Sequence, residues 1–313
     1  MLARIAHELF WLGRNITRAE HTARMLDGVF QADLQARPSG PTGVAFGWRS
    51  ILATMGVDPG TAPVRRDDVL RRLTLDRDEP ASIVSCVERS REQARTVRDV
   101  ISAEMWESLN TTHLRLRDGD MEGRLATSPY AVLRDVRERC ALFWGLMQRT
   151  MLRDEARSFL VAGGRIESAD MVLRMLRVAL PGDEVSSSDG QALALLQAVG
   201  GFQAFRRAVP APANARPVMR FLVYEAAYPD SVAASIAGAQ VQLEVADHAP
   251  RSSEPVLRLS RLGADLELRA RSTEGDDLAA VCAGVQAELA AVDRDIAERY
   301  FAGAAPLGVV STV

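Results

Sequence analysis

An internal repeat constrains the fold of this chain more than any other feature. Residues 1–27 and 151–177 are identical at nine of 27 aligned positions. A second segment, residues 69–87, aligns with residues 218–236 at an offset of 149, in the same order along the chain. Two matches at nearly the same offset predict two copies of one structural unit, packed as a pseudo-symmetric pair.

The apolar residues of both copies follow a helical period. In the first copy an apolar stripe recurs every three or four residues at Leu2, Ile5, Leu9, Leu12, Ile16, Ala19, Ala23 and Leu26. This spacing is typical of one face of an α-helix. We therefore predict an all-α protein with two tandem helical repeats, residues 1–150 and 151–313, packed as one large bundle.

Several segments carry more specific expectations. Long helices are predicted over residues 80–117 and from Pro129 to about residue 161, with an interruption or bend at Gly163 and Gly164. Segment 254–270 is ambiguous between a helix and a short hairpin. Gly13 and Gly163 occupy equivalent positions, so the helices that hold them are expected to approach each other closely, with a ligand cleft between the two halves as the default site.

The chain contains no lysine, because all 38 of its basic residues are arginine. This excludes a Schiff-base lysine, a pyridoxal-phosphate anchor and a P-loop lysine within this chain. Carboxylate or phosphate recognition stays possible, since the arginine guanidinium binds both groups in a bidentate manner.

Net charge and cysteine usage bear on the binding partners and the cellular compartment of the protein. The net charge of -3 gives no global indication of nucleic-acid or membrane binding. Three widely spaced cysteines form no metal-binding pair and are typical of a reducing compartment. The N-terminus lacks the apolar core of a signal peptide, so we expect a cytoplasmic location. No cofactor and no metal are predicted.

One face of the first helix is the main candidate site. Arg14 and Arg18 are four residues apart and share a face with Trp11, which predicts a substrate- or anion-binding row. The alternative is a solvated face with i,i+4 ion pairs. Glu20 and Arg24 recur in the second copy, so they are interpreted as structural ion pairs, completed there by Asp170 and Arg174. Arg14 and Arg18 do not recur.

A second candidate group lies between residues 101 and 110. Trp106 and Asn110 are four residues apart, and a tryptophan beside an amide can form the floor of a pocket and orient a substrate. The alternative is a core tryptophan near a helix end. Glu20 and Asn110 are the candidate catalytic residues, although no catalytic or nucleotide-binding motif accompanies them.

The opening MLARIAHELFWLGRNITRAEHTARML resembles the bacterial alpha-E domain family. The resemblance extends through residues 73–83, 101–110 and 159–176. It implies an all-helical domain encoded with, or fused to, an ATP-grasp-type ligase and a transglutaminase-like protein. The chain differs from the family pattern at His7 and Thr17, where the family has acids, although Glu167 keeps the second acid in the other copy.

The resemblance implies a helical partner or substrate-handling module of a peptide- or amide-bond-forming system, with a peptide or carboxylate as the possible substrate. A first alternative is an enzyme that performs amide or ester transfer at a cleft between the repeats. A second alternative is a protein-binding scaffold without any reaction of its own.

Overall fold

The computed structural model describes residues 1–35, 47–180, 189–272 and 277–303. Within these ranges all long elements are α-helices and no strand occurs, so the predicted all-α class is confirmed. The helices are α1 (Ala3–Gln35), α2 (Trp48–Thr54), α3 (Arg66–Leu75), α4 (Ile83–Thr96), α5 (Ala103–Leu116), α6 (Met121–Thr127), α7 (Pro129–Thr150), α8 (Glu155–Ala179), α9 (Asp189–Val199), α10 (Phe202–Ala208), α11 (Ala215–Tyr224), α12 (Val232–Ala246), α13 (Glu254–Arg271) and α14 (Leu278–Tyr300).

Side-chain caps explain two helix boundaries that differ from the sequence prediction. The predicted helix 80–117 is divided into α4 and α5, because the Ser102 side chain accepts a hydrogen bond from the Met105 backbone N–H and begins a new helix. The Asp154 side chain likewise accepts from Arg157 N–H and begins α8, so the helix from Pro129 ends at Thr150. Segment 254–270, which the sequence left ambiguous between a helix and a hairpin, is helical and lies within α13.

Helices α1 and α8 form the centre of the molecule. They pack against each other along their length, α4 packs against α1, and α12 packs against α8. Helix α8 buries residues on all its sides, including Glu167 and Asp170. A helix enclosed in this way must give each buried polar group a partner within the protein.

Two glycines permit the close contact between the central helices. A Cβ atom on Gly13 would lie 2.0 Å from the Leu160 carbonyl oxygen, and one on Gly163 would lie 2.0 Å from the Phe10 carbonyl oxygen. Gly163 and Gly164 lie inside the continuous helix α8, so the predicted interruption there is wrong. Their role is close backbone contact rather than a helix break.

Candidate functional site

Arg14 and Arg18 of α1 bind one buried carboxylate of α8. Arg14 Nε donates to Glu167 Oε2 at 2.8 Å, and Arg18 Nε donates to Glu167 Oε1 at 2.5 Å. Arg18 Nη2 adds a bond of 3.1 Å to Glu167 Oε2. The four-residue spacing of the arginines places both guanidinium groups on the side of α1 that faces α8. Both oxygens of Glu167 are therefore occupied.

A second carboxylate completes this group, which we call the arginine cluster: Arg14, Arg18, Glu167 and Asp293. Arg14 Nη1 lies 2.7 Å from each oxygen of Asp293, on α14. The Arg14 guanidinium also lies 5.0 Å from the Trp11 ring centroid, at a distance typical of cation–π contact. The cluster thus joins three helices with two cations and two anions.

Burial and charge act in opposite directions on Glu167, whose side chain is 0% exposed. Burial alone would raise the pKa of this carboxyl, but the adjacent Arg18 and Arg14 charges and their hydrogen bonds hold it well below its usual range. Glu167 is consequently an anion that accepts hydrogen bonds, and not a proton donor. This arrangement neutralises the arginines internally, and an external anion would have to compete with Glu167 and Asp293.

The two predicted i,i+4 pairs form in the structure. Arg24 Nη2 donates to Glu20 Oε1, and Arg174 Nε donates to Asp170 Oδ2 at 2.7 Å. Gln286 of α14 also donates to Asp170 Oδ1 at 3.0 Å. Glu20 carries an ion pair to Arg24, which fits the structural role that the repeat indicates; a catalytic role for it stays a prediction.

A second polar contact lies one turn further along the α1–α8 contact. His21 Nε2 lies 3.3 Å from the hydroxyl of Ser168, which in turn donates to Asp230 Oδ1 at 3.4 Å. His21 and Ser168 are buried, and His21 Nδ1 has no hydrogen-bond partner among the described residues. Ser168 stands at the position in the second copy that Arg18 occupies in the first.

Trp106 and Asn110 contact arginines of α4 and of the segment that follows it. Arg91 Nε donates to Asn110 Oδ1 at 2.8 Å, and the guanidinium groups of Arg91 and Arg98 lie 5.6 and 5.3 Å from the Trp106 ring centroid. The structure thus brings Trp11, Arg14 and Arg18 together, whereas Trp106 and Asn110 join a different set of arginines. Substrate binding by either group stays a prediction.

Sequence reasoning missed two carboxylates that the structure makes prominent. Asp293 lies 279 residues from its partner Arg14, and no local pattern marks it. Asp247 accepts from Arg299 Nη2 at 2.8 Å and from the hydroxyl of Tyr300, and these bonds hold its pKa below the usual range. Of the residues in these two contacts, only Arg14 was indicated by the sequence, because it shares a helical face with Arg18.

The described residues also limit other classes of site. They contain no group of three or more histidine, cysteine or acidic side chains arranged to hold a metal ion. Among the same residues, none of the helices is long and apolar enough to cross a membrane.

The fold and the cluster define an all-helical domain whose central helices are joined by buried arginine–carboxylate bonds. A family model described as a predicted alpha-helical domain with a conserved ER motif, Alpha-E, matches residues 1–301. The chain belongs to the Alpha-E family.

Similar proteins occur in Mycobacterium bovis and in two strains of Mycobacterium tuberculosis, each described as an uncharacterized protein. Each is 25% identical to this chain over 307 residues, which cover 92% of this chain and 34% of the relative. The chain therefore spans about a third of the length of these relatives. No solved structure matches it.

Proposed function

We propose that the chain is a cytoplasmic helical module that serves an ATP-grasp-type system for forming peptide or amide bonds, as partner or substrate handler. The resemblance to the alpha-E family motivates this proposal. The relatives support it, because they devote only 34% of their length to the part that matches this chain. The module thus occurs within longer proteins, where further domains can supply chemistry.

The arginine cluster is the observation that carries the accessory role. Arg14 and Arg18 bond to Glu167, and Arg14 also bonds to Asp293, so the most concentrated charges on α1 already have partners within the chain. A catalytic general acid needs a proton to donate near neutral pH, and the lowered pKa of Glu167 leaves it without one. The cluster fits a structural clamp that holds the module together.

We further propose that the module consists of two related halves, residues 1–150 and 151–313, in one compact body. The glycine contacts are reciprocal: Gly13 meets residue 160 and Gly163 meets residue 10, a shift of 150 in each direction. The Ser82 side chain caps α4 with backbone angles of -69° and 153°, and the Ser231 side chain caps α12 with -69° and 155°. Equivalent positions thus have equivalent local geometry.

The family's ER motif gains a physical interpretation from this arrangement. The resemblance places a Glu–Arg pair at positions 17 and 18, where this chain has Thr17 and Arg18, and the second copy has Glu167 and Ser168. Arg18 of one copy bonds to Glu167 of the other. We infer that two such reciprocal bonds are possible across the helix contact, and that this chain keeps one and has lost both members of the other.

Exposed leucines support binding to another protein, whether in the ATP-grasp system or as a scaffold. Leu2 and Leu152 occupy equivalent repeat positions, and they are 75% and 78% exposed. Both lie just before a central helix, and the Met1 amino group, 3.1 Å from Glu155, brings the two helix starts together. A paired apolar surface at one end of the molecule suits a protein contact.

Affinity purification from the native organism tests the proposal. The tagged chain is expected to capture an ATP-grasp-type ligase or a transglutaminase-like protein, identified by mass spectrometry. The double variant Leu2→Ser, Leu152→Ser should capture severalfold less, whereas Leu268→Ser, which changes a leucine that is 71% exposed on α13, should capture as much as the wild type. Capture of neither protein class by the wild-type chain would overturn the proposal.

A further inference from the structure

We infer that a pocket in the second half binds a free amino acid with an aromatic or large apolar side chain. The pocket has a volume of about 360 Å³ and lies between α10, α11 and the turn that precedes α12. This volume is within the range of small-molecule sites, about 300–1,000 Å³. The residues that carry the argument are Ala204, Arg207, Ala208, Phe221, Glu225 and Tyr228.

Two stacked rings form the apolar floor of this pocket. The ring centroids of Phe221 and Tyr228 lie 5.0 Å apart with an interplanar angle of 26°. The Tyr228 hydroxyl donates to the Val199 carbonyl oxygen at 3.1 Å, which fixes the ring against Phe221. Ala204 and Ala208 line the α10 side, and their small side chains leave room for a ligand ring.

Opposite charges flank the floor. Arg207 has no hydrogen bond or ion pair within the part of the chain that the structure describes. Glu225 uses Oε1 to accept from Ala227 N–H at 3.0 Å, and its other oxygen has no such partner there. One cation and one anion beside an apolar floor match the α-carboxylate, the α-ammonium group and the side chain of an amino acid zwitterion.

The first half shows that the pocket is a specific feature and not a consequence of the fold. At the positions equivalent to Phe221 and Tyr228, the first half has Arg72 and Glu79, which form an ion pair of 2.9 Å. The turn itself is preserved, since Asp76 Oδ1 accepts from the N–H two residues later at 3.0 Å, as Glu225 Oε1 does. The same turn therefore carries an ion pair in one half and an aromatic floor in the other.

Binding of the amino acid follows from the pocket alone, whereas its role as a substrate delivered for amide-bond formation rests on the proposed function. Ligand binding is measured on the purified full chain, and partner capture is measured separately. Loss of one result without the other identifies which of the two proposals has failed.

The experiment is an NMR titration of the full chain with L-phenylalanine and two blocked forms. Phenylalanine is expected to bind with a Kd of roughly 1 mM, as its small size allows. Phenylalaninamide lacks the carboxylate and N-acetylphenylalanine lacks the ammonium group, so each should bind about threefold to tenfold more weakly. Glycine, which lacks the side chain, should not saturate the protein.

Matched variants assign each ligand group to a residue. Arg207→Gln should weaken phenylalanine about threefold to tenfold and leave phenylalaninamide unchanged. Glu225→Gln should weaken phenylalanine and leave N-acetylphenylalanine unchanged, and its amide oxygen can still accept from Ala227. Arg206→Gln is the control, because Arg206 lies over Phe202 and does not line the pocket.

Filling the pocket provides the decisive comparison. Ala208 is exposed, so Ala208→Trp should leave the fold intact, as checked by thermal unfolding, and should abolish phenylalanine binding. Either of two results would overturn the inference: no saturation of the wild type by about 20 mM phenylalanine, or binding that Ala208→Trp leaves unchanged.

Discussion

The arginines of helix α1 belong to two groups with different surroundings. Arg14 and Arg18 reach across to α8 and bond to Glu167, 153 and 149 residues away. Arg24 bonds to Glu20 on its own helix, and its side chain is 27% exposed. The Glu167 carboxylate that the first group shares is 0% exposed, whereas Glu20 is 17% exposed. The first group thus joins two helices through a fully buried anion, and the second lies within one helix. The same residue type thus serves tertiary structure in one place and local structure in another.

The burial of the carboxylate determines how much stability is lost when one of these ion pairs is broken. A buried ion pair that loses one partner leaves a charge without solvent, which costs about 3–5 kcal/mol. A pair near the surface keeps water as a substitute partner and contributes about 0.2–1 kcal/mol. The comparison therefore predicts a ranking of variants, which measurements of unfolding can test.

The largest effect is expected from Glu167→Gln. The substitution keeps the shape of the side chain but removes the anion that balances Arg14 and Arg18, so the free energy of unfolding should fall by about 3–5 kcal/mol. Urea unfolding followed by circular dichroism measures this. The matched control is Glu267→Gln, in a pair with Arg271 whose side chains are 68% and 76% exposed, and it should change stability by less than about 0.5 kcal/mol. Equal losses in the two variants would contradict the clamp role.

The close contact of α1 with α8 makes the glycines the next most sensitive positions. A Cβ atom on Gly13 would lie 2.0 Å from a backbone oxygen, so Gly13→Ala must move the helices apart and should cost about 1–3 kcal/mol. Gly145, in α7, has nothing within 4 Å of its would-be Cβ atom, and Gly145→Ala should raise stability by about 0.5–1 kcal/mol. Thermal unfolding of both variants checks the opposite signs, and a stabilised Gly13→Ala would contradict the packing argument.

The glycine contact and the arginine cluster were not equally predictable from the sequence. The repeat aligned Gly13 with Gly163, and close backbone contact followed from glycine chemistry. The Glu20–Arg24 and Asp170–Arg174 pairs followed from the i,i+4 spacing of a helix. The partner of Arg14 and Arg18 could not be derived in this way, because a contact across about 150 residues depends on how the helices cross. Asp293 and the aromatic pocket floor depend on the same tertiary geometry.

The pH dependence of stability provides a third test of the buried cluster. The folded-state pKa of Glu167 lies below the unfolded value of about 4.3, so its contribution to stability is fully present above that pH and is lost as the pH falls toward the folded value. Between pH 5 and pH 3 the wild type should lose stability faster than Glu167→Gln, by up to about 1.4 kcal/mol per pH unit. Asp247 also has a lowered pKa, but it is present in both proteins and cancels. If the stability of the wild type and of Glu167→Gln fell in parallel with pH, the acid-dependent loss of stability would come from groups other than Glu167.

The smallest effects are expected at the pairs that recur in both halves. Arg24→Gln and Arg174→Gln each remove one i,i+4 ion pair, and each should lower stability by about 0.3–1 kcal/mol. The Arg24 variant should lie at the upper end, because the Arg24 guanidinium also packs against Gly200, where a Cβ atom would lie 2.6 Å from Nη1. Arg174, with its side chain 34% exposed, has more access to water. Urea unfolding of the two single variants and the double variant measures the loss of stability at each pair. Additive losses would support two independent structural pairs. A loss above about 2 kcal/mol for either single variant would instead show that this arginine behaves as part of a buried ion pair, like Arg14 and Arg18.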